Sequence, residues 1–187
     1  MKDFFRDYPL FSLCGLKCGL CPIHHMADGC PGCGGGDGNQ SCSIARCSRE
    51  HGGPDHCFQC DEYPCGEYDG FDEYDSFVAH RHRAEDIRRA REMGLEAYRA
   101  ELDEKVERLT YLLAHYNDGR RKSFFCTAVN VLELADVRSV MDQIAQQAPA
   151  QEMELKERAA KAVGLFQAMA DQRGLSLKLT RKPKKKT

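Results

Sequence analysis

Ten of the eleven cysteines fall between Cys14 and Cys65, and only Cys126 lies outside that stretch. No other feature restricts the fold so strongly, because a segment made largely of thiols and turns has few residues left for an apolar core. Up to Gly70 the chain is rich in Cys, Gly and Pro, carries five basic against ten acidic residues, and has few aliphatic side chains in any helical or alternating period. Burial alone would not fold so short and polar a segment. Bound metal would, since ligand binding and folding are coupled in small thiolate domains.

Disulfides are the competing use of so many cysteines, and they require an oxidising compartment. The N-terminus MKDFFRDYPLF bears Lys2, Asp3, Arg6 and Asp7 and lacks the apolar run of an export signal. No apolar stretch approaches the ~20 residues needed to cross a bilayer, so the expectation is a soluble cytoplasmic protein without membrane association. In that reducing setting clustered cysteines are metal ligands or redox groups. The formal net charge of -2 over 187 residues gives no field that would recruit nucleic acid. The basic run at residues 181–187 could neutralise phosphates, but without aromatic residues or a second basic patch it reads as a disordered solubilising tail.

The thiols are spaced Cys14-x3-Cys18-x2-Cys21, Cys30-x2-Cys33, Cys42-x4-Cys47 and Cys57-x2-Cys60-x4-Cys65. A C-x2-C turn points two side chains at one tetrahedral ion while the backbone forms a tight knuckle, which is why the spacing recurs in thiolate zinc sites. Two four-thiolate sites use eight cysteines and leave two; three would have to borrow from His24, His25, His51 or His56, which read instead as surface residues. The expected partition is Cys18, Cys21, Cys30 and Cys33 in one site and Cys47, Cys57, Cys60 and Cys65 in the other, with Cys14 and Cys42 as extra or alternative ligands. Spacing does not dictate connectivity, so the main expectation is collective: these ten residues bind metal. Zinc, as two ions, is the first candidate because it is redox-inert and accepts thiolates in structural sites. An iron-sulfur cluster for electron transfer or redox sensing is the alternative. Cys14-x3-Cys18-x2-Cys21 has the spacing of the cluster triplet of radical S-adenosylmethionine enzymes, but the rest of the chain lacks the strand-helix alternation of their barrel.

The ordered elements CGLKCGLCP, CPGCGGGDGNQSC, IARCSREHGG and CFQCDEYPC resemble the cysteine-rich bacterial and archaeal proteins grouped as domain-of-unknown-function family 3795, over about residues 14 to 70. The resemblance implies a metal-binding role for Cys14, Cys18, Cys21, Cys30, Cys33, Cys42, Cys47, Cys57, Cys60 and Cys65. It brings no substrate, reaction or partner with it.

Beyond residue 70 the pattern turns helical. Leu95, Tyr98, Leu102, Val106, Leu109, Leu112 or Leu113, and Tyr116 recur every three or four residues, drawing an apolar stripe that the Asn117-Asp118-Gly119 run stops. Further stripes are Phe125, Ala128, Val129 and Leu132; Val137, Val140, Met141 and Ile144; and, after the Ala148-Pro149-Ala150 break, Leu155, Ala159, Ala162, Phe166 and Met169. An earlier Arg-rich helix over about Tyr74 to Met93 reads as solvated, its arginines pairing with Glu85, Asp86 and Glu92. Cys126, on an apolar stretch, reads as a small buried hydrophobe. The Gly34–Gly38 loop lacks the strand and the Lys-Ser/Thr pair of a phosphate-binding loop, and no catalytic constellation stands out.

The expected fold class is therefore mainly α, with an irregular cysteine-rich metal-stabilised N-terminal module packed on a C-terminal helical bundle. Its expected parts are residues 1–70, a helical region of about four helices over 71–180, and the tail 181–187. The helices would present a surface to a protein partner.

Overall fold

The computed structural model describes residues 3–38, 42–146 and 153–183. Among the described residues there are six α-helices: α1 (Ser43–Glu50), α2 (Arg83–Met93), α3 (Leu95–His115), α4 (Lys122–Val131), α5 (Leu134–Gln146) and α6 (Leu155–Gln172). Among the described residues there is no strand, only isolated bridges pairing Phe5 with Gly35 and Phe11 with Lys17. The fold is mainly α with an irregular, thiol-bearing N-terminal part, as the sequence predicts.

Two compact units divide the chain, Met1–Leu102 with Leu179–Thr187 in one and Asp103–Lys178 in the other. The compositional change near residue 70 lies inside the first unit, which takes in α2 and the start of α3. Five helices follow residue 70 rather than about four. The Ala148-Pro149-Ala150 break and residues 184–187 of the basic tail lie outside the described residues.

In the second unit the predicted stripes form the core. Leu109, Leu112, Phe125, Ala128, Val129, Leu132, Val137, Val140, Ala159, Phe166 and Ala170 are all essentially inaccessible to solvent, and the Phe125 and Phe166 rings meet edge to face with centroids 6.0 Å apart. The Asn117-Asp118-Gly119 stop works through its side chains: Asn117 Oδ1 accepts from the backbone N–H of Gly119 and Arg121, and Asp118 Oδ1 from that of Arg120. Across the surface of the unit, Glu104 of α3 holds Arg138 of α5 at 2.7 Å and Arg108 of its own helix at 2.7 Å. Arg138 above all, with Arg108, holds the Glu104 carboxyl down at about 2, against an ordinary 4.5. A depressed carboxylate stabilises the fold above its unfolded value, and that contribution is lost as pH falls towards the folded value. Stability should therefore decline between pH 4.5 and about 2 partly through this residue. Glu104→Gln is expected to flatten that acid limb in urea unfolding at stepped pH; superimposable limbs would refute the assignment.

In the first unit the apolar interior is small. Phe4, Leu13, Cys14, Ile44 and Ala45 form a buried cluster, with Leu16, Cys33, Cys57, Tyr68 and Phe71 packed against it. Phe11, fully buried, lies against Tyr98 at 4.7 Å and His56 at 5.0 Å between ring centroids. Helix α2 begins at Arg83 rather than near Tyr74. The residues before it are used otherwise: Asp75 Oδ1 accepts from the His80 N–H, and the His80 ring stacks on Phe71 and bonds its carbonyl. Nor is α2 wholly solvated. Arg88 does pair with Glu85 and Glu92 on the outside, but Arg83 and Asp86 are buried, and Asp86 forms an ion pair of 2.7 Å with the equally buried Lys17.

A clasp joins distant parts of the same unit. The Asp75 N–H donates to the Thr180 carbonyl at 2.8 Å, the Thr180 N–H donates to the Asp75 carboxylate at 2.7 Å, and Arg181 donates to the Ser76 carbonyl at 2.7 Å. Arg181, the first residue of the expected disordered tail, is thus hydrogen-bonded. Among the described residues no helix is long and apolar enough to cross a membrane.

Candidate metal centre

The thiols are carried by a set of tight turns. Cys14 sits at the tip of a reversal in which the Ser12 N–H donates to the Leu16 carbonyl and Gly15 takes φ +87. Only glycine suits that position, since a Cβ there would stand 2.6 Å from the Ile87 side chain. The Ser12 hydroxyl accepts from the Leu16 N–H at 2.8 Å and lies 3.1 Å from the Cys14 sulfur.

The two C-x2-C segments that begin at Cys18 and Cys57 have the same backbone. Each opens with a single 3₁₀ turn, Cys18–Leu20 and Cys57–Gln59, and each second cysteine is extended, at φ -78, ψ 132 for Cys21 and φ -80, ψ 137 for Cys60. In each, the second cysteine's N–H donates to the first's carbonyl at 3.0 Å, and the residue three further on, His24 or Tyr63, donates to the second's carbonyl. Long-range hydrogen bonds bring these turns together: the Cys57 N–H donates to the Leu13 carbonyl, the Cys33 N–H to that of Pro9, and the Gly19 N–H to that of Leu10. Cys42 precedes α1, Cys47 lies within it, and Cys65 precedes the 3₁₀ turn Gly66–Tyr68.

Burial and neighbouring thiols shift most of these groups, and the repulsion reaches from Cys33 to Cys57 as well. Burial pushes Cys14 up to about 12, with further repulsion from Cys33 and Cys42. Burial also raises Cys18, then Cys33 and Cys14 do, with Cys21 the weakest of its thiol neighbours. Cys33 is raised by burial and by Cys42. Donors work the other way: the Leu16 N–H on Cys14, the Cys33 N–H on Cys18, and the Leu13 N–H with the Arg6 guanidinium on Cys33. Cys47, Cys57, Cys60 and Cys65 line a cavity of about 20 Å³ together with Ser48, His51, Pro54 and Tyr63. Here burial lifts Cys57 to about 11, with Cys47 and Cys65 adding to the shift, and Cys47 is raised by burial, Cys65, Glu67 and Cys60 in turn. Cys21 and Cys30 neighbour each other, and the Ile23 and His24 N–H groups donate to Cys21.

Cys14 thus has Cys33 and Cys42 among its thiol neighbours, and Cys21 has Cys30. The Cys33–Pro9 and Cys57–Leu13 hydrogen bonds draw the chain around Cys14, and spacing along the sequence does not encode them. As the side chains stand, no group of three or more His, Cys, Asp or Glu among the described residues is gathered closely enough to hold an ion.

Residues that the spacing did not point to support the thiols. Arg83, only 6% exposed, forks onto Asp72 at 2.8 and 2.6 Å, donates to the Cys14 carbonyl at 3.3 Å, and lies over the Tyr68 ring 4.6 Å from its centroid. The Tyr68 hydroxyl is buried beside the Cys57 thiol without a hydrogen bond of ordinary geometry, and burial followed by that thiol raises it. Arg6 donates to the Phe11 and Cys33 carbonyls. His56, expected on the surface, is wholly buried, with Nδ1 3.2 Å from the Ser12 carbonyl; burial and Arg6 lower it to about 4. His51 is exposed, as expected, with Nδ1 3.6 Å from the Cys47 sulfur. Cys126 is buried in α4, also as expected. A buried arginine in an Arg-rich helix has no sequence signature.

Loops held by turns that carry ten cysteines, with no extended sheet among the described residues, define an irregular cysteine-rich region. Residues 24–70 match the family described as "Protein of unknown function (DUF3795)", so the resemblance is borne out over that segment. The matched stretch contains Cys30, Cys33, Cys42, Cys47, Cys57, Cys60 and Cys65, whereas Cys14, Cys18 and Cys21 precede it. No curated protein and no solved structure matches the chain.

Proposed function

We propose that this chain is a metal-binding protein whose first unit is held folded by zinc, as a structural or regulatory centre in the reducing cytoplasm. The observation that carries the reading is the cavity of about 20 Å³ walled by Cys47, Cys57, Cys60 and Cys65. It has the capacity of one water-sized particle, and its wall supplies four soft donors, the set that structural zinc takes. The donor chemistry fits. Thiols crowded together and buried resist ionisation, as Cys14, Cys18 and Cys57 do here, and a bound cation reverses that tendency outright. The Tyr68 hydroxyl, otherwise without a partner of ordinary geometry, is placed to donate to a Cys57 thiolate. The Ser12 hydroxyl, 3.1 Å from the Cys14 sulfur, could do the same for Cys14. The ion would supply a cross-link without redox chemistry; these residues orient the thiols and offset their charge.

Metal and acid-labile sulfide analysis with a visible spectrum, on protein purified without oxygen, tests the reading. About two zinc ions per chain, the number two four-thiolate groups would take, with no colour and no sulfide, are expected. Iron with matching sulfide would replace zinc by an iron-sulfur centre for electron transfer or redox sensing. Protein with neither metal would refute the proposal.

A further inference from the structure

The two thiol groups have opposite surroundings. Around Cys14, Cys18 and Cys33 the chain is closed off: residues 11–15, Gly19, Leu20, Gly32 and Gly34 are buried. The cationic Arg6 donates to the Phe11 and Cys33 carbonyls beside them. Only Cys42, at the edge of that group, is exposed. Around Cys47, Cys57, Cys60 and Cys65 the chain is open. Residues 49–53, Gln59, Asp61, Glu62, Pro64, Gly66 and Glu67 are exposed. The charges here are acidic as well: Glu67 and Glu50 act on Cys47, and Glu62 stands 3.4 Å from His51. Four thiolates around a divalent ion carry a net charge of about minus two, so donors and a cation hold such a centre while nearby carboxylates oppose it. The same carboxylates raise the local concentration of free cations. Solvent access and acidic surroundings favour exchange; burial and cationic donors favour retention.

We infer that the Cys47, Cys57, Cys60 and Cys65 group is an exchangeable site for a thiophilic divalent ion, which passes to and from competing thiol or chelating ligands, while the Cys14, Cys18, Cys33 and Cys42 group retains its own. The inference rests on the metal-binding reading above and assigns the two centres different work, retention of the fold in one and metal handling in the other. His51, 3.6 Å from the Cys47 sulfur on the exposed side, lies where an incoming or departing ion would pass.

The test uses the intact chain loaded with Zn(II) alone and mixed with excess chromophoric chelator. Release is expected in two phases of equal amplitude, with rates about tenfold or more apart, since differences between related sites are carried mainly by the off-rate. In the Cys60→Ser, Cys65→Ser double variant the fast phase should vanish and the slow one remain. A single phase releasing both equivalents, or a fast phase that survives in the variant, would overturn the inference. Cadmium NMR on the unaltered chain provides a measurement independent of the variant's folding. Couplings to cysteine β-protons identify each ion's ligands, and the ion displaced first by added Zn(II) should couple to Cys57, Cys60 and Cys65. First displacement of the ion coupled to Cys14 and Cys18 would refute the inference. A chain that takes up no Zn(II) at loading would instead refute metal binding itself.

Discussion

Stripping metal from the intact chain with a strong chelator is expected to abolish hydrogen-exchange protection in the first unit and leave the second unit protected. The three reporter amides are those of Gly19, Cys33 and Cys57, whose acceptors are the carbonyls of Leu10, Pro9 and Leu13. These bonds tie the cysteine-bearing turns together, yet the buried cluster beneath them amounts to Phe4, Leu13, Cys14, Ile44 and Ala45. Structural zinc supplies ~10–16 kcal/mol of apparent folding free energy to small domains, far beyond what so small a cluster could replace. Protection of the three amides should fall at least about a hundredfold. Amides of α4 and α6 should keep theirs, because Phe125, Phe166 and the alanines between them form a core without thiolate support. Unchanged protection in the first unit, with metal removal verified, would mean that loop packing alone holds it.

Asp86→Asn should be among the most damaging single changes outside the cysteines. Lys17 and Asp86 are about equally hidden, at 5% and 6% exposure, and their charged atoms meet at 2.7 Å. Lys17 immediately precedes Cys18, so the pair fixes a thiol-bearing turn to α2. Removing one charge leaves the other buried without its counter-ion, at a cost of about 3–5 kcal/mol. Replacing both, as in Lys17→Met with Asp86→Leu, removes the desolvation cost along with the attraction and should recover most of the loss. Denaturant unfolding of the metal-loaded protein reads both. A loss below about 1 kcal/mol for the single variant would mean that the pair behaves as a solvated one.

That pair also marks where sequence reading stopped. The helices of the second unit were legible because most apolar residues in a stripe share one fate: Leu109, Leu112, Val137, Val140 and Phe166 all went inside, while Leu155 at the start of α6 stayed exposed. The stop at Asn117 was legible because it is local. Charged residues have no such rule. Arg83, Asp86 and Lys17 look like solvated helix and loop residues in sequence, and they are buried because their partners lie far along the chain. Spacing pointed to the thiols, but it does not record the backbone bonds that carry them, from Cys33 to Pro9 and from Cys57 to Leu13. The twin C-x2-C turns at Cys18 and Cys57 were visible as motifs, but their identical hydrogen bonding was not.

The clasp between Asp75 and Thr180 closes across 105 residues. On the ribosome, the cysteine-bearing turns emerge before the helices, but the bonds from Thr180 and Arg181 must wait until all of residues 103–178 have been made. Synthesis thus imposes an order, in which a helical insert forms before the unit it interrupts is complete. Any arrest of translation within that insert would leave an unfastened domain for quality control to find.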